Sequence, residues 1–291
     1  MDNQHLAEQK RLRYRKNKNK AAQGVFMLAT LVGLLVLIIL FYQILREGLA
    51  WLDLQFLNSY PSRFAEKAGI KAAWLGTLWM MALIFPISFP LGVGAAIYLE
   101  EVASDSWLSR IIQTNISNLA GIPSIIYGIL GLTIFVRWMA LGRSLLAGAL
   151  TMSLLILPII IVASQEAIRS VSDSLRHASL ALGATRWQTI RRVVLPSAFP
   201  GILTGTILAL SRAIGETAPL IMIGALTFIP RAPKTPLDPF TVMPIQIYNW
   251  TTRPQDEFRG IAAAGIIVLL IMLLSMNALA IFLRNKYQKK I

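Results

Sequence analysis

Five stretches of the chain run without a charged residue: 21–45, 72–99, 111–136, 144–165 and 260–283. They hold 25, 28, 26, 22 and 24 residues, and roughly 20 apolar residues suffice for a helix to cross a bilayer. A sixth apolar stretch, 193–230, is interrupted only by Arg212 and Glu216. The pattern predicts an all-α membrane protein with six transmembrane helices.

Inside these runs the helix breakers are unevenly placed. The first run, 21–45, is Leu, Ile and Val with Gly24 and Gly33 and reads as an anchor facing lipid. The second contains Pro86, Pro90, Gly92 and Gly94 and ends at Glu100 and Glu101. The third contains Gly121-Ile122-Pro123-Ser124, a bend in its cytosolic third. At Pro123 and Ser124 that bend reads either as a simple kink or as part of a gate. Pro158 bends the fourth run, and the fifth helix is expected to begin near Pro200, with Gly201 and Gly205 spaced for close helix packing. Six prolines between Pro230 and Pro254 predict a stiff outer loop carrying a short interfacial helix over 245–250. Tyr248 and Trp250 would then lie at headgroup level.

The polar interval 166–196 has its own periodicity. Ile168, Val171, Leu175, Ala178 and Leu182 recur at helical spacing, with Arg169, Asp173 and Arg176 off that stripe. Gly183 sits where a left-handed residue would end the helix. Thr185 and Gln188 are spaced as a capping box for a second helix. That helix carries Trp187, Ile190 and Val194 and is expected to stop at Pro196. Helix, glycine corner, helix is the prediction, lined by small residues at Ala178, Ala181, Gly183 and Ala184. Two uses fit: a pair of amphipathic helices on the membrane surface, or a docking element for a cytosolic partner.

Charge decides the orientation. Of 291 residues, 55% are apolar and 14% charged, where a soluble protein carries about 25% charged residues. Segments 1–20, 100–110, 166–192 and 284–291 share one side and hold 17 Lys and Arg; segments 46–71, 137–143 and 231–259 hold 10. The positive-inside rule places both termini in the cytosol. The net charge of +14 is therefore read as a topology signal, with the basic tail Lys10–Lys20 touching anionic lipid rather than nucleic acid. The first run is too long for a secretory h-region and is followed by no small-residue cleavage site, so it is expected to be retained. With no cysteine, disulfides and cysteine-based metal sites are excluded. The two histidines, His5 and His177, belong to no ligand cluster, and no metal site is expected. No P-loop motif occurs, so ATP chemistry would have to come from another subunit.

Arg212 lies about twelve residues into the fifth helix, some 18 Å along it and near the midplane. A charge there costs at least about 2.5 kcal/mol on insertion scales and must face protein or water. Its guanidinium stays ionised and offers forked donors to an oxyanion. Glu216, four residues on, is placed on the same face. The two form either a mutual ion pair or part of an anion path, and one arrangement serves both.

The spacing His177-Ala178-Ser179-x3-Gly183-x9-Val193-x-Leu195-Pro196 resembles the E-A-A-x3-G-x9-I-x-L-P loop of type I ABC importer permeases. His177, Ser179 and Val193 depart from the pattern; the glycine and the Leu-Pro agree. The resemblance implies a coupling helix seated in a cleft of a separate ATPase, carried here by His177, Ala178, Ser179, Gly183, Ala184, Thr185, Leu195 and Pro196.

A narrower resemblance is to the A-type (PstA-type) permease subunits of phosphate-specific transport systems. It rests on residues 96–101 (AIYLEE), 121–128 (GIPSIIYG), 181–185 (ALGAT), 211–220 (SRAIGETAPL) and 246–250 (QIYNW). The similarity covers about 69–283, outside the basic tail 1–20, the first helix 21–45 and the tail 284–291. It implies ATP-driven import of phosphate across a bacterial inner membrane. This multi-pass chain would pair with a C-type (PstC-type) permease, two ATP-binding subunits and an external phosphate-binding protein. ATP and Mg would be bound by the partner ATPase, with no cofactor in this chain and no enzymatic activity of its own. Two other readings are a permease of this type for another oxyanion, and an ion-coupled secondary transporter using Arg212 and Glu216 as a proton relay. The latter lacks a second intramembrane carboxylate and a visible inverted repeat.

Overall fold

A computed structural model describes residues 2–104, 106–225 and 228–288, and every regular element among them is helical. Thr227 of the outer loop and residues 289–291 of the basic C-terminal tail lie outside the described residues. Among the described residues, five helices are long and apolar enough to span a membrane: α1 (Asp2–Gly48), α2 (Lys71–Val102), α5 (Leu145–Arg169), α7 (Arg186–Gly215) and α10 (Glu257–Gln288). A sixth span exists if α3 (Trp107–Ala120) and α4 (Ser124–Trp138) are taken as one.

The centre of the bundle is α5, whose Met152, Ile156 and Ile160 are fully buried. They pack against Met80 and Ile84 of α2 and Ala209, Ala213 and Ile214 of α7. Small residues set the α5–α7 distance. A Cβ added at Gly201 would lie 2.8 Å from the Ala167 Cβ, and one at Gly205 would overlap Ala163. The two predicted glycines are thus where the backbones meet.

The third apolar run is not one bent helix. α3 and α4 meet at 104°. Pro123 lacks an N–H and disfavours helical conformation at the residue before it; Pro123 itself has φ −54° and ψ 133°, outside the helical region. The Tyr127 hydroxyl donates to the carbonyl oxygen of Leu119 at 2.8 Å, a second donor beside the Ile122 N–H at 3.2 Å, and so pins the end of α3 to α4. No residue of α3 is buried.

Two other expectations give way at prolines. The helix after the glycine corner does not stop at Pro196, and no helix begins near Pro200: α7 runs unbroken from Arg186 to Gly215. A wider π turn over Ile190–Val194 precedes Pro196, loosening the ladder where the missing N–H would otherwise break it. On the outer side, Trp250 is not at headgroup level. It belongs to α9 (Met243–Thr251) and is fully buried, packed with Phe56, Phe258 and Ile70; Tyr248 alone stays exposed. The outer segments therefore fold inward as a cap. They are tied down by Leu145 N–H to Asp238 O at 3.0 Å and Met243 N–H to Thr77 Oγ1 at 3.0 Å.

The first helix stands apart from this bundle. The basic tail is helical and continuous with the apolar run. Between residues 21 and 42 every side chain is exposed, and α1 meets α10 over its last turns, where Leu40, Gln43, Ile44 and Glu47 share a cleft with Arg259, Ala262 and Ile266 and Gly48 abuts the backbone of Ala263 and Ala264.

Candidate functional site

Arg212 and Glu216 are brought together, in a geometry different from the one expected. α7 ends at Gly215, and Glu216 is extended (φ −76°, ψ 132°). Pro219 forces the break, since its ring would collide with the carbonyl of residue 215 in a continued helix. A short helix, α8 (Ala218–Ile223), resumes and ends on left-handed Gly224. Glu216 is thus off the helix, yet its Oε1 lies 3.5 Å from Arg212 Nε. The terminal guanidinium nitrogens have no hydrogen-bond or ion-pair partner among the described residues. Arg212 is 52% exposed and Glu216 19%.

Depth follows from the register of the packed helices. Gly201 faces Ala167 and Gly205 faces Ala163, so Arg212 falls level with Ile156, halfway along α5. A second antiparallel register agrees. Arg284 of α10 donates to Thr204 Oγ1 at 3.0 Å and Ser211 meets Asn277 at 2.6 Å. The break at Glu216 and Thr217 therefore lies deep within the bundle. Irregular backbone at that depth is tolerated where it lines protein or a watery cavity. α8 packs on α4, with Gly128 against Pro219 and Met222. Pro123 and Ser124 start that same α4, but no hydrogen bond or ion pair among the described residues joins them to Arg212 or Glu216.

The glycine corner is built as its sequence suggests. α6 (Asp173–Ala181) is followed by Gly183 at φ +84°. Thr185 Oγ1 accepts from the Gln188 N–H at 3.3 Å, and Gln188 Oε1 accepts from the Thr185 N–H at 2.8 Å, completing the capping box. Ser179 and Thr189 hydroxyls meet at 2.9 Å and hold the two helices together. His177, Ala178, Gly183 and Thr185 are exposed, Ala184 is half-buried, and Leu182 projects at 89% exposure. Leu195 and Pro196 lie inside α7, half-buried, away from this tip. The expected single stripe is split: Ile168, in the last turn of α5, and Val171 just after it are buried with Val194 and Ala198, whereas Leu175 and Leu182 are exposed. Ser172 caps a new helix and turns the chain between them. Trp187 likewise parts from buried Ile190 and Val194.

The profile of the family described as binding-protein-dependent transport system inner membrane component matches residues 88–289. The chain belongs to that family. The permease is 34% identical over 290 residues to a probable ABC transporter permease protein, YqgI, of Bacillus subtilis, covering 95% of this chain and 98% of that one. It is 32% identical to the phosphate transport system permease protein PstA of Xylella fastidiosa, over 97% of both chains. PstA 1 of Mycobacterium tuberculosis is 31% identical over 93% of this chain and 88% of its own. The permease fold matches an inward-facing MetNI methionine ABC transporter with TM-score 0.60 at 19% identity, over 75% of this chain and 95% of that one. It also matches a bacterial alginate ABC transporter in complex with a pentasaccharide-bound periplasmic protein (TM-score 0.57, 20% identity, 85% and 90% covered). The permease is a transport subunit of the type I ABC importer fold.

Reading the sequence missed the polar network at the cytosolic end of the permease. Glu100 and Glu101 are held by Arg169, Arg176 and Gln165, and Gln113 joins them. Its signal was present: two adjacent carboxylates at a helix end, and glutamines at the margins of two apolar runs. Asn277, the one amide in the last apolar run, was passed over in the same way.

Proposed function

We propose that this permease is the A-type subunit of an ATP-driven importer of inorganic phosphate in a bacterial inner membrane. The observation that carries the reading is the Arg212–Glu216 pair at a helix break deep in the bundle, with guanidinium donors to spare. A half-exposed guanidinium at that depth cannot face lipid, so a second permease half completes the path and encloses water. That half is of the C type. Arg212 supplies charge-assisted donors to an oxyanion. Glu216 adds an acceptor, which a protonated phosphate satisfies with its own P–OH and a fully ionised sulfate repels. This favours phosphate over other oxyanions, in keeping with relatives named as phosphate transport permeases.

Two ATP-binding subunits, holding ATP and Mg, dock at the exposed corner formed by His177, Ala178, Ser179, Gly183, Ala184 and Thr185. Leu195 and Pro196 carry the motion into α7. The bend at Pro123 and Ser124 lets α4 shift with α8 as a gate. A phosphate-binding protein delivers substrate to the outer cap.

The test is uptake of radiolabelled phosphate in cells with no other phosphate importer. Arg212→Met is expected to reduce uptake about ten- to a hundredfold, the scale of a lost charge-assisted hydrogen bond. Glu216→Gln is expected to let sulfate compete where it does not in the wild type. Undisturbed uptake in Arg212→Met would overturn the reading. Competition by sulfate in the wild type would reassign the substrate.

A further inference from the structure

The cytosolic end of α2 breaks a local electrostatic rule. Glu100 and Glu101 occupy its last turn, a π turn over Tyr98–Val102, where the helix dipole disfavours carboxylates. A local conflict of this kind points to compensation or use elsewhere. Both side chains are drawn inward, at 13% and 14% exposure.

Two arginines compensate. Arg169, the last residue of α5, grips Glu100 with both ends of its fork: Nε to Oε2 at 2.8 Å and an Nη to Oε1 at 2.7 Å. Gln165, almost fully buried, donates to the same carboxylate at 2.8 Å. Gln165 and Gln113 also face each other with amide contacts of 3.0 and 2.7 Å, tying in α3. Arg176, from the middle of α6, donates to Glu101 at 3.0 Å and to Ile168 O at 2.9 Å; it also donates to Val171 O and Asp173.

α6 buries none of its residues. Among the described residues, its side-chain hydrogen bonds to other helices are those of Arg176 and of Ser179, and only Arg176 reaches α2. α3 likewise buries none. α6 is thus fastened to α2 through Glu101, and α3 is fastened to α5 through the Gln113–Gln165 pair, whose Gln165 in turn holds Glu100. We propose that Glu100 and Glu101 form a charge clamp that makes the docking corner, the end of α2 and α3 move as one piece. Displacement at the corner then reaches the Gly121–Pro123 break through α3 as well as through α7. Glu100, Glu101 and Arg176 are positioning residues, acting through the helices they hold. The clamp as a mechanical link stands on the geometry alone; its use in coupling rests on the proposed docking of an ATPase.

The chain has no cysteine, so paired spin labels can be placed without removing native thiols. Labels at Leu182→Cys on the corner and Leu108→Cys near the start of α3 report their separation in the full chain in nanodiscs. One narrow distance distribution is expected. Glu100→Gln with Glu101→Gln is expected to broaden it. Glu100→Arg and Arg169→Glu should each broaden it alone and restore it together. An unchanged distribution in the double glutamine variant would overturn the clamp.

In the assembled transporter, phosphate imported per ATP hydrolysed is expected to fall about fivefold or more in the double glutamine variant, the scale of coupling between linked sites. Hydrolysis itself should be retained. Equal loss of import and hydrolysis would reduce the network to a fold stabiliser and overturn its coupling role. If the labels behave as expected while the wild type imports no phosphate, the substrate assignment fails and the clamp stands.

Discussion

At the scale of single residues, backbone conformation explains more than side-chain chemistry. Gly183 has nothing near the place where a Cβ would sit, so space is not why it is glycine. Its φ of +84° is the reason. Gly183→Ala is expected to cost about 1–2 kcal/mol at that turn. Thermal unfolding in detergent would read this as a lower midpoint, with helix content unchanged. This glycine and the Thr185–Gln188 box were legible because capping chemistry is local. The Arg212–Glu216 distance was not, because it depends on Pro219 ending a helix that apolar content alone would continue. Nor were the partners of Glu100 and Glu101, since Arg169 and Arg176 approach them from across the bundle.

At the scale of elements, α5 and α7 test the close-packing argument. Gly205→Leu would drive a side chain into Ala163, and overpacking of this kind typically costs about 1–3 kcal/mol. A lower unfolding midpoint is expected, with Gly201→Ala milder because it adds one methyl group. The outer cap has its own dependence on acid. Asp238 Oδ2 accepts from the backbone N–H groups of Lys234 and Thr235 at 2.8 and 2.9 Å. These bonds, helped by Arg231, hold its carboxyl below the usual aspartate range. The folded loop therefore binds a proton less readily than the unfolded one. The contribution is present above the ordinary aspartate pKa and is lost as pH falls through the depressed one. Limited proteolysis of the 230–240 loop should accelerate in acid, and in Asp238→Asn it should already be fast at neutral pH. Prolines signalled a stiff segment here. That Trp250 is buried against Phe56, Ile70 and Phe258 was hidden, because Trp and Tyr at a helix end fit an interface as well as a core.

For the whole molecule, the helical class and five of the six expected spans follow from charge-free length, which membrane solvation enforces without reference to tertiary structure. Paths of the helices do not. The 104° turn at Pro123 and the continuity through Pro86, Pro158 and Pro196 give opposite outcomes for the same residue type. The face holding Arg212 also exposes Leu208, at 66%. A maleimide should react readily with Leu208→Cys in the isolated chain and slowly once a second permease half covers it. Equal labelling in both states would place the interface elsewhere.

The unbroken course of α7 has a mechanical consequence. From Arg186 beside the corner to Arg212 is about 39 Å at the rise of an α-helix. Over that length the helix acts as a rigid lever. Tilting its base by ~5° sweeps its tip by ~3 Å, about the span of one hydrogen bond. A nudge far too small to remodel the cytosolic surface would suffice to take the guanidinium off one set of ligands and onto another.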